Sequence, residues 1–270
     1  MNYRTDLVIE QNNIDIKTDK SVTEKKQFGN AVLTVLDITK EETAEKLSLK
    51  KGKYFTVEFP ELGSICDDTG IINASLYALK ELLGENQDNV MVVGLGNEDI
   101  TPDALGPKTA SKIFATRHLS KELKANLQLE NLKTVSSIIP GVLGKTGIEA
   151  FDVTKAVCKS ANIDAIIVID ALAAKSPERL CRTFQFTDTG ISPGSGVQNA
   201  RKRFSEADFK IPVIAVGMPT VIDYNAKHEK MMVTPKDIDL LTEKASCLLA
   251  DILNTFLQPA LDRETLRFLT

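Results

Sequence analysis

The chain has 270 residues, of which 43% are hydrophobic and 26% charged, the usual mix of a folded globular protein rather than a disordered one. Its formal net charge of −4 leaves no basic footprint for a protein that mainly binds nucleic acid. No apolar run approaches the roughly 18 residues of a membrane span, and the first residues lack the apolar core of a signal peptide. We therefore expect a cytoplasmic protein that binds neither membrane nor nucleic acid.

The cysteine and histidine content limits the disulfide and metal-binding chemistry that the chain can support. The four cysteines are scattered and form no CxxC pair, which favours reduced thiols over a disulfide framework or a zinc knuckle. Only two histidines occur, so a metal site built mainly from imidazole is nearly excluded. We expect no cofactor and no metal.

The first third of the chain combines a polar arm with strand and helix signals. Residues 1–27 are mostly polar and charged, and we predict a loosely held arm. β-Branched and aromatic runs at 31–36 and 54–59 predict strands. Apolar residues at helical spacing over 74–83, followed by Gly84, predict a helix that ends there.

The pattern then changes to buried strands that alternate with helices. Three runs are apolar at every position, as is typical of strands covered on both faces: 90–95, 165–169 and 213–217. Helical stretches lie near 107–118 and 147–160, and Thr234 with Pro235 predicts the N-cap and first residue of a final helix. This order predicts an α/β fold, with a mostly parallel twisted sheet covered by helices in one domain.

Three segments rich in glycine, proline and polar residues follow predicted strands. They cover 94–107, 170–174 and 188–196. In an open parallel sheet, ligands bind beyond the carboxyl ends of the strands, so these segments are the predicted site. The GxG at 94–96 is a weak nucleotide signal because the third glycine of GxGxxG is missing, and the glycines there more simply allow a sharp turn.

Asp103 and Asp170 are the strongest candidate catalytic residues. Carboxylates at the ends of neighbouring parallel strands can share a proton, because repulsion and desolvation keep one neutral and leave the other ionised. Such a pair can activate water and protonate a leaving amide without a nucleophilic side chain. Each residue also has a simpler explanation, since Asp103 could complement a helix dipole and Asp170 could cap a helix over 171–174.

The chain resembles the germination protease family of spore-forming Firmicutes, endopeptidases that degrade small acid-soluble spore proteins. The matching segments follow the family's order along nearly the whole chain: 3–7 (YRTDL), 93–97 (VGLGN), 101–107 (TPDALGP), 116–119 (TRHL), 140–144 (PGVLG), 146–149 (TGIE), 169–174 (IDALAA), 188–191 (DTGI), 193–196 (PGSG), 219–223 (PTVID) and 232–236 (MVTPK).

The resemblance implies a fold similar to the hydrogenase-maturation endopeptidases, a homotetramer, and a zymogen of the forespore and spore core. The family is classed with aspartic-type peptidases, and its two catalytic aspartates match Asp103 and Asp170. It cleaves after an acidic and before a hydrophobic residue, a pattern that Asp6 and Leu7 fit. We therefore predict self-processing between these two residues, with 1–6 as a propeptide-like arm and 7–270 as one peptidase domain.

One departure and two alternative functions accompany this interpretation. Longer family members carry an insertion where only 224–231 stands here, which affects the predicted oligomer contacts.

A metal-dependent peptidase would use Asp103, Asp170 and His118 as ligands, although the context of His118 alone is typical of a helix C-terminal residue. A sporulation protein that keeps the fold and only binds peptide is the second alternative, and nucleotide binding ranks last.

Overall fold

The computed structural model describes residues 2–10, 23–60, 69–126, 129–192, 202–226 and 229–270. The strands in these ranges form a single sheet. They are β1 (Asn2–Arg4), β2 (Thr23–Phe28), β3 (Ala31–Ile38), β4 (Gly52–Glu58), β5 (Asn89–Gly94), β6 (Thr134–Ile138), β7 (Ala165–Ala174), β8 (Thr183–Thr187), β9 (Val213–Ala226) and β10 (Glu229–Val233).

Helices of very different length connect and cover these strands. They are α1 (Glu41–Leu47), α2 (Thr69–Leu83), α3 (Leu105–Ala110), α4 (Lys121–Asn126), α5 (Leu143–Thr146), α6 (Ala150–Ala161), α7 (Glu206–Phe209), α8 (Ile238–Leu257) and α9 (Arg263–Leu269). Within the described ranges, no helix is both long and apolar enough to cross a membrane.

The sheet is mixed, with the order β2-β3-β4-β8-β9-β7-β5-β6, while β1 and β10 both pair with β9. Strands β9, β7, β5 and β6 are parallel, and the remaining pairings are antiparallel. The predicted α/β class is confirmed, but the expectation of a mostly parallel sheet needs correction. A tight turn joins β2 to β3, with Phe28 opposite Ala31, and only antiparallel strands can be joined by so short a connection.

The three apolar runs are confirmed as the parallel strands β5, β7 and β9. The predicted helix near 107–118 ends at Ala110, and by Thr116 and Arg117 the backbone N–H groups donate to the Val135 carbonyl of β6 instead. The predicted cap at Thr234 is wrong: its hydroxyl donates to the Thr220 carbonyl at 2.9 Å, and α8 begins only at Ile238.

Helices cover the sheet on both faces, and side-chain alternation assigns each strand residue to one of them. Ile167 and Ile169 belong to the core beneath α2 and α8. Ile166 and Val168 pack on the opposite face, with Phe151 of α6. Because alternate residues of a strand share a face, Asp170 lies on the α6 side, beyond the end of the apolar run.

The prediction of a loosely held arm is wrong for residues 2–10. Strand β1 pairs with the outer part of β9, and a 3₁₀ helix follows at Val8–Glu10. Leu7 is fully buried and Val8 nearly so. The composition of this region is polar, but its few apolar side chains are inserted into the sheet, and burial outweighs the local preference.

Candidate active site

A cavity of about 890 Å³ lies against the α6 side of the sheet. Its lining brings together both predicted catalytic aspartates, Asp103 and Asp170, with Asp6 of the predicted processing site. Gln185 of β8 and Gly217 of β9 contribute to the same wall. Sequence segments far apart in the chain therefore meet in one concave space, as expected of a ligand site.

Asp170 sits inside β7, where this strand outlasts its neighbour. Strand β5 pairs as far as Gly94 opposite Ile169, so the next residue of β7 stands just beyond the end of β5. Asp170 is buried, and its Oδ1 accepts a hydrogen bond from the Ala171 N–H at 2.9 Å. The alternative of a helix cap is wrong, because β7 continues as a strand through Ala174.

Asp103 is the last residue of a 3₁₀ helix, Thr101–Asp103, in the loop that follows β5. Its Oδ2 accepts a hydrogen bond from the Asn97 N–H at 2.8 Å, which fixes the carboxylate across that loop. The N-cap of α3 is Ala104, and no side chain caps that helix. Asp103 therefore stands next to the start of α3 without capping it, and its half-buried side chain lines the cavity.

Glycines hold the two aspartate segments together. A Cβ on Gly106 would lie 2.2 Å from the Leu95 carbonyl oxygen and 2.6 Å from that of Ile169, so α3 begins in direct contact with β5 and β7. Gly96 has a φ of +117°, and a Cβ there would lie 2.0 Å from the Asp103 carbonyl oxygen. The GxG therefore serves a tight turn, as expected, because only glycine tolerates this φ and this contact.

The N-terminal segment runs past the cavity and is hydrogen-bonded to β7. The Asp6 N–H donates to the Ala173 carbonyl at 2.9 Å, and the Ala173 N–H donates back to Asp6 Oδ2 at 2.9 Å. Leu7 packs in a cluster with Leu172 and Ala174 and against Ile191. An acidic side chain and the apolar side chain after it are thus each held by β7.

Gln185 is a site residue that the sequence did not indicate. Its Nε2 donates to the Asp6 carbonyl oxygen at 3.0 Å, and its Oε1 accepts from the Val8 N–H at 2.7 Å. The side chain is buried, and both partners lie more than 170 positions away. Its only sequence signal is one amide in the short run TFQFT, which carries no information about such distant partners.

Glu10 anchors the end of this segment. Its side chain is only 3% exposed and forms an ion pair with Arg179, Nη1 to Oε1 at 3.5 Å. Three further donors reach the carboxylate: the backbone N–H groups of Lys175 and Ser176 and the hydroxyl of Thr5. A buried carboxylate needs such compensation, and here it ties residues 5–10 to the end of β7.

Burial shifts the pKa values of Asp188, Lys50 and Cys158. Burial raises the pKa of Asp188, whose Oδ1 accepts from the Lys53 N–H. Burial, and then the nearby Arg203, lower the pKa of Lys50. Burial also raises the pKa of the Cys158 thiol to about 11, so this thiol stays protonated near neutral pH and is a poor nucleophile.

The remaining candidates do not join the site. His118 is exposed in a turn and is not part of the cavity lining, so it is not brought together with the two aspartates and is not a helix C-terminal residue. In the part of the chain that the structure describes, no group of three His, Cys, Asp or Glu residues is arranged to hold a metal ion. The third predicted segment follows the antiparallel β8, and only its residues up to Ser192 are described.

Sequence comparisons place the chain among the peptidases. The family whose sequence model matches is the germination protease, over residues 3–229. The germination protease of Clostridium perfringens (strain ATCC 13124) is 36% identical, over 96% of each chain. Those of Clostridium tetani and Priestia megaterium are 35% and 41% identical, and the chain spans 98% and 63% of their lengths. The chain therefore belongs to the germination protease family, and the predicted family is confirmed.

A more distant likeness was found among solved structures. The [NiFe] hydrogenase maturation protease HycI from Thermococcus kodakarensis KOD1 aligns with 65% of this chain and 97% of its own, at 16% identity and a TM-score of 0.39.

Proposed function

We propose that this endopeptidase degrades small acid-soluble spore proteins during germination, cutting after an acidic and before a hydrophobic residue. The observation that carries the proposal is the cavity in which Asp103, Asp170 and Asp6 meet. Both aspartates stand in the motifs TPDALGP and IDALAA, by which the chain resembles the family. Asp6 lines the same cavity and is followed by Leu7, which is buried against Leu172 and Ala174, and this acid–hydrophobic pair supports the proposed specificity.

In the proposed reaction, the two aspartates act as an acid–base pair. The ionised carboxylate takes a proton from a water molecule, whose oxygen forms a bond to the scissile carbonyl carbon. The neutral carboxyl gives its proton to the amide nitrogen as the C–N bond breaks, leaving a new carboxylate and a new amine. Asp170 is buried and Asp103 is partly exposed, so the two carboxylates have different surroundings in the cavity.

We also propose that the chain is a zymogen that processes itself between Asp6 and Leu7. The segment around this bond occupies part of the cavity wall, so a substrate protein would have to displace it. Removal of residues 1–6 would clear that space. By resemblance to the family, the active form is a homotetramer in the forespore and spore core, and the short 224–231 segment makes its subunit contacts differ from those of longer relatives.

Cleavage of a purified small acid-soluble spore protein tests the proposal directly. The chain truncated to begin at Leu7 is compared with the same chain carrying Asp103→Asn or Asp170→Asn, each with and without EDTA. Cleavage after an acidic residue that is insensitive to EDTA and falls at least about a hundredfold in both variants supports the acid–base pair. Loss of cleavage with EDTA would indicate a metal site instead. A folded, truncated chain that cuts nothing would indicate a peptide-binding protein.

A further inference from the structure

Gln185 and Asp170 are placed in one row of the sheet. Gln185 of β8 is directly opposite Gly217 of β9, and Gly217 is the register partner of Asp170 on β7. Side chains of register partners project to the same face, so both residues stand on the cavity side, two strand spacings or about 10 Å apart. Gly217 has no side chain, and the side chain of Leu172 packs where its Cβ would lie.

The amide of Gln185 contacts the chain on both sides of one peptide bond. Its Nε2 donates to the carbonyl oxygen of Asp6, the carbonyl of the Asp6–Leu7 bond. Its Oε1 accepts from the N–H of Val8, one residue beyond that bond. A carbonyl can only accept and an N–H can only donate, so this orientation of the amide satisfies both partners and the flipped one satisfies neither.

Hydrogen bonds and packing also fix the residues on either side of the Asp6–Leu7 bond. Asp6 pairs with Ala173 through its backbone N–H and its carboxylate, and Leu7 is fully buried against the same strand. The bond therefore has firm contacts on both sides. A side-chain donor on the carbonyl oxygen is the kind of group that accumulates favourable interaction as that oxygen gains negative charge.

We propose that Gln185 is the positioning residue for self-processing, holding the Asp6–Leu7 bond in place and donating to its carbonyl oxygen while water adds to the carbonyl carbon. This inference rests on the proposed function and assigns a residue to it outside the two aspartates. When the C–N bond breaks, the Asp6 carbonyl becomes a carboxylate and leaves with residues 1–6. The Oε1 contact with Val8 is independent of that bond, so Gln185 still anchors the new N-terminus afterwards.

Two variants of the full chain separate positioning from anchoring. Gln185→Glu keeps an oxygen for the Val8 N–H and removes the Nε2 donor, whereas Gln185→Met removes both at nearly the same volume. Gln27→Glu makes the same chemical change at an exposed position of β2 and serves as the matched control. We measure how fast the mass of the chain falls to that of a chain starting at Leu7. The measurement is made at several dilutions, because the rate of a reaction within one chain is independent of concentration.

Both Gln185 variants are expected to slow self-processing by roughly ten- to a hundredfold, the effect of one or two lost hydrogen bonds, while Gln27→Glu proceeds at the unmodified rate. A second measurement adds unmodified enzyme, truncated to begin at Leu7, to full-length Gln185→Met that also carries Asp170→Asn. Cleavage between Asp6 and Leu7 should then be no slower than in a chain carrying Asp170→Asn alone, because a loosened segment is the better substrate. A general folding defect would also slow self-processing, so the melting temperatures of both Gln185 variants are compared with that of the unmodified chain; a clearly lowered melting temperature in both would assign the slowing to folding and overturn the inference.

Unchanged self-processing in Gln185→Glu and Gln185→Met would overturn the inference and leave the proposed function standing, provided that the truncated enzyme cuts a spore protein. Absence of self-processing in the unmodified chain, with no cleavage by the truncated one, would overturn the proposed function and this inference with it.

Discussion

Asp170 and Gln185 face the same cavity from strands that do not pair with each other, and Gly217 between them leaves room for the side chain of Leu172. Gly217 pairs with both. A Cβ at this position would lie 2.6 Å from Leu172 Cγ and 3.0 Å from the Asp170 carbonyl oxygen. The position thus accepts only the smallest residue, because the side chain of Leu172 packs where a Cβ would lie.

Gly217→Ala is expected to lower the rate of cleavage by more than its loss of unfolding free energy explains. The added methyl must displace the end of the Leu172 side chain, which belongs to the cluster that holds Leu7. Overpacking of this kind costs about 1–3 kcal/mol of unfolding free energy, and we expect spore-protein cleavage to fall about tenfold beyond what that loss explains. Steady-state kinetics and urea unfolding of the same preparations make the comparison. Equal kinetics in the two proteins would show that the packing of Leu172 over Gly217 does not affect cleavage.

Gly106→Ala is expected to be more damaging, because its Cβ would meet backbone rather than a movable side chain. The carbonyl oxygens of Leu95 and Ile169 would lie 2.2 and 2.6 Å away. We expect a loss of about 3 kcal/mol in the free energy of unfolding, with separation of the Asp103 loop from Asp170 and loss of activity. Gly144→Ala is the matched control for stability, since a Cβ there meets nothing within 4 Å. A melting temperature of Gly106→Ala equal to that of the control would contradict the packing described.

Glu10→Gln is expected to loosen the N-terminal segment without unfolding the sheet. The neutral amide keeps the shape of the side chain but weakens its contacts with Arg179 and with the N–H groups of Lys175 and Ser176. We expect a local loss of about 2 kcal/mol, seen as faster hydrogen exchange at Asp6 and Ala173. Glu178→Gln changes an exposed carboxylate nearby and should leave that exchange unaltered. Equal protection in both variants would show that Glu10 is not the anchor.

The carboxylate of Glu243 should make stability depend on pH in the acid range. A hydrogen bond from Lys108 of α3, together with Lys112, lowers its pKa from 4.5 to about 2. A depressed pKa contributes stability above pH 4.5 that is lost as pH falls from there towards 2. The group is partly exposed, so solvent screening limits the effect to under about 1 kcal/mol.

Urea unfolding of the unmodified chain and of Glu243→Gln between pH 7 and pH 3 measures this contribution. The difference between the two proteins should be largest near neutral pH, shrink as the carboxylate protonates, and diminish in 1 M salt. A difference that does not change with pH would assign it to packing.

The parallel half of the fold is the part that the sequence predicts well. Strands β5, β7 and β9 are buried on both faces, so their apolar runs are continuous and stand out from the surrounding chain. The carboxyl ends of these strands then direct attention to Asp103 and Asp170, and both line the cavity. Local composition suffices here, because each signal is contained within a few neighbouring residues.

The antiparallel half and the N-terminal segment depend on partners that no local pattern reveals. Gln185 is buried because it binds residues near the start of the chain, and Glu10 is buried because it meets the end of β7. Polar composition predicted a loose arm where the structure has a paired strand. Likewise, Thr234 has the sequence context of a helix cap, but its hydroxyl donates to the Thr220 carbonyl instead.

Strand β1 also conceals an edge. Residues 2–4 pair with 223–225 along one side of β9, and β10 pairs along the other side. If residues 1–6 are released, the backbone N–H and C=O groups of β9 that faced β1 lose their partners and become an exposed strand edge. Such an edge accepts an extended polypeptide as a new strand, whatever its side chains. Release of residues 1–6 would thus give β9 an edge on which an extended polypeptide substrate could pair as an added strand.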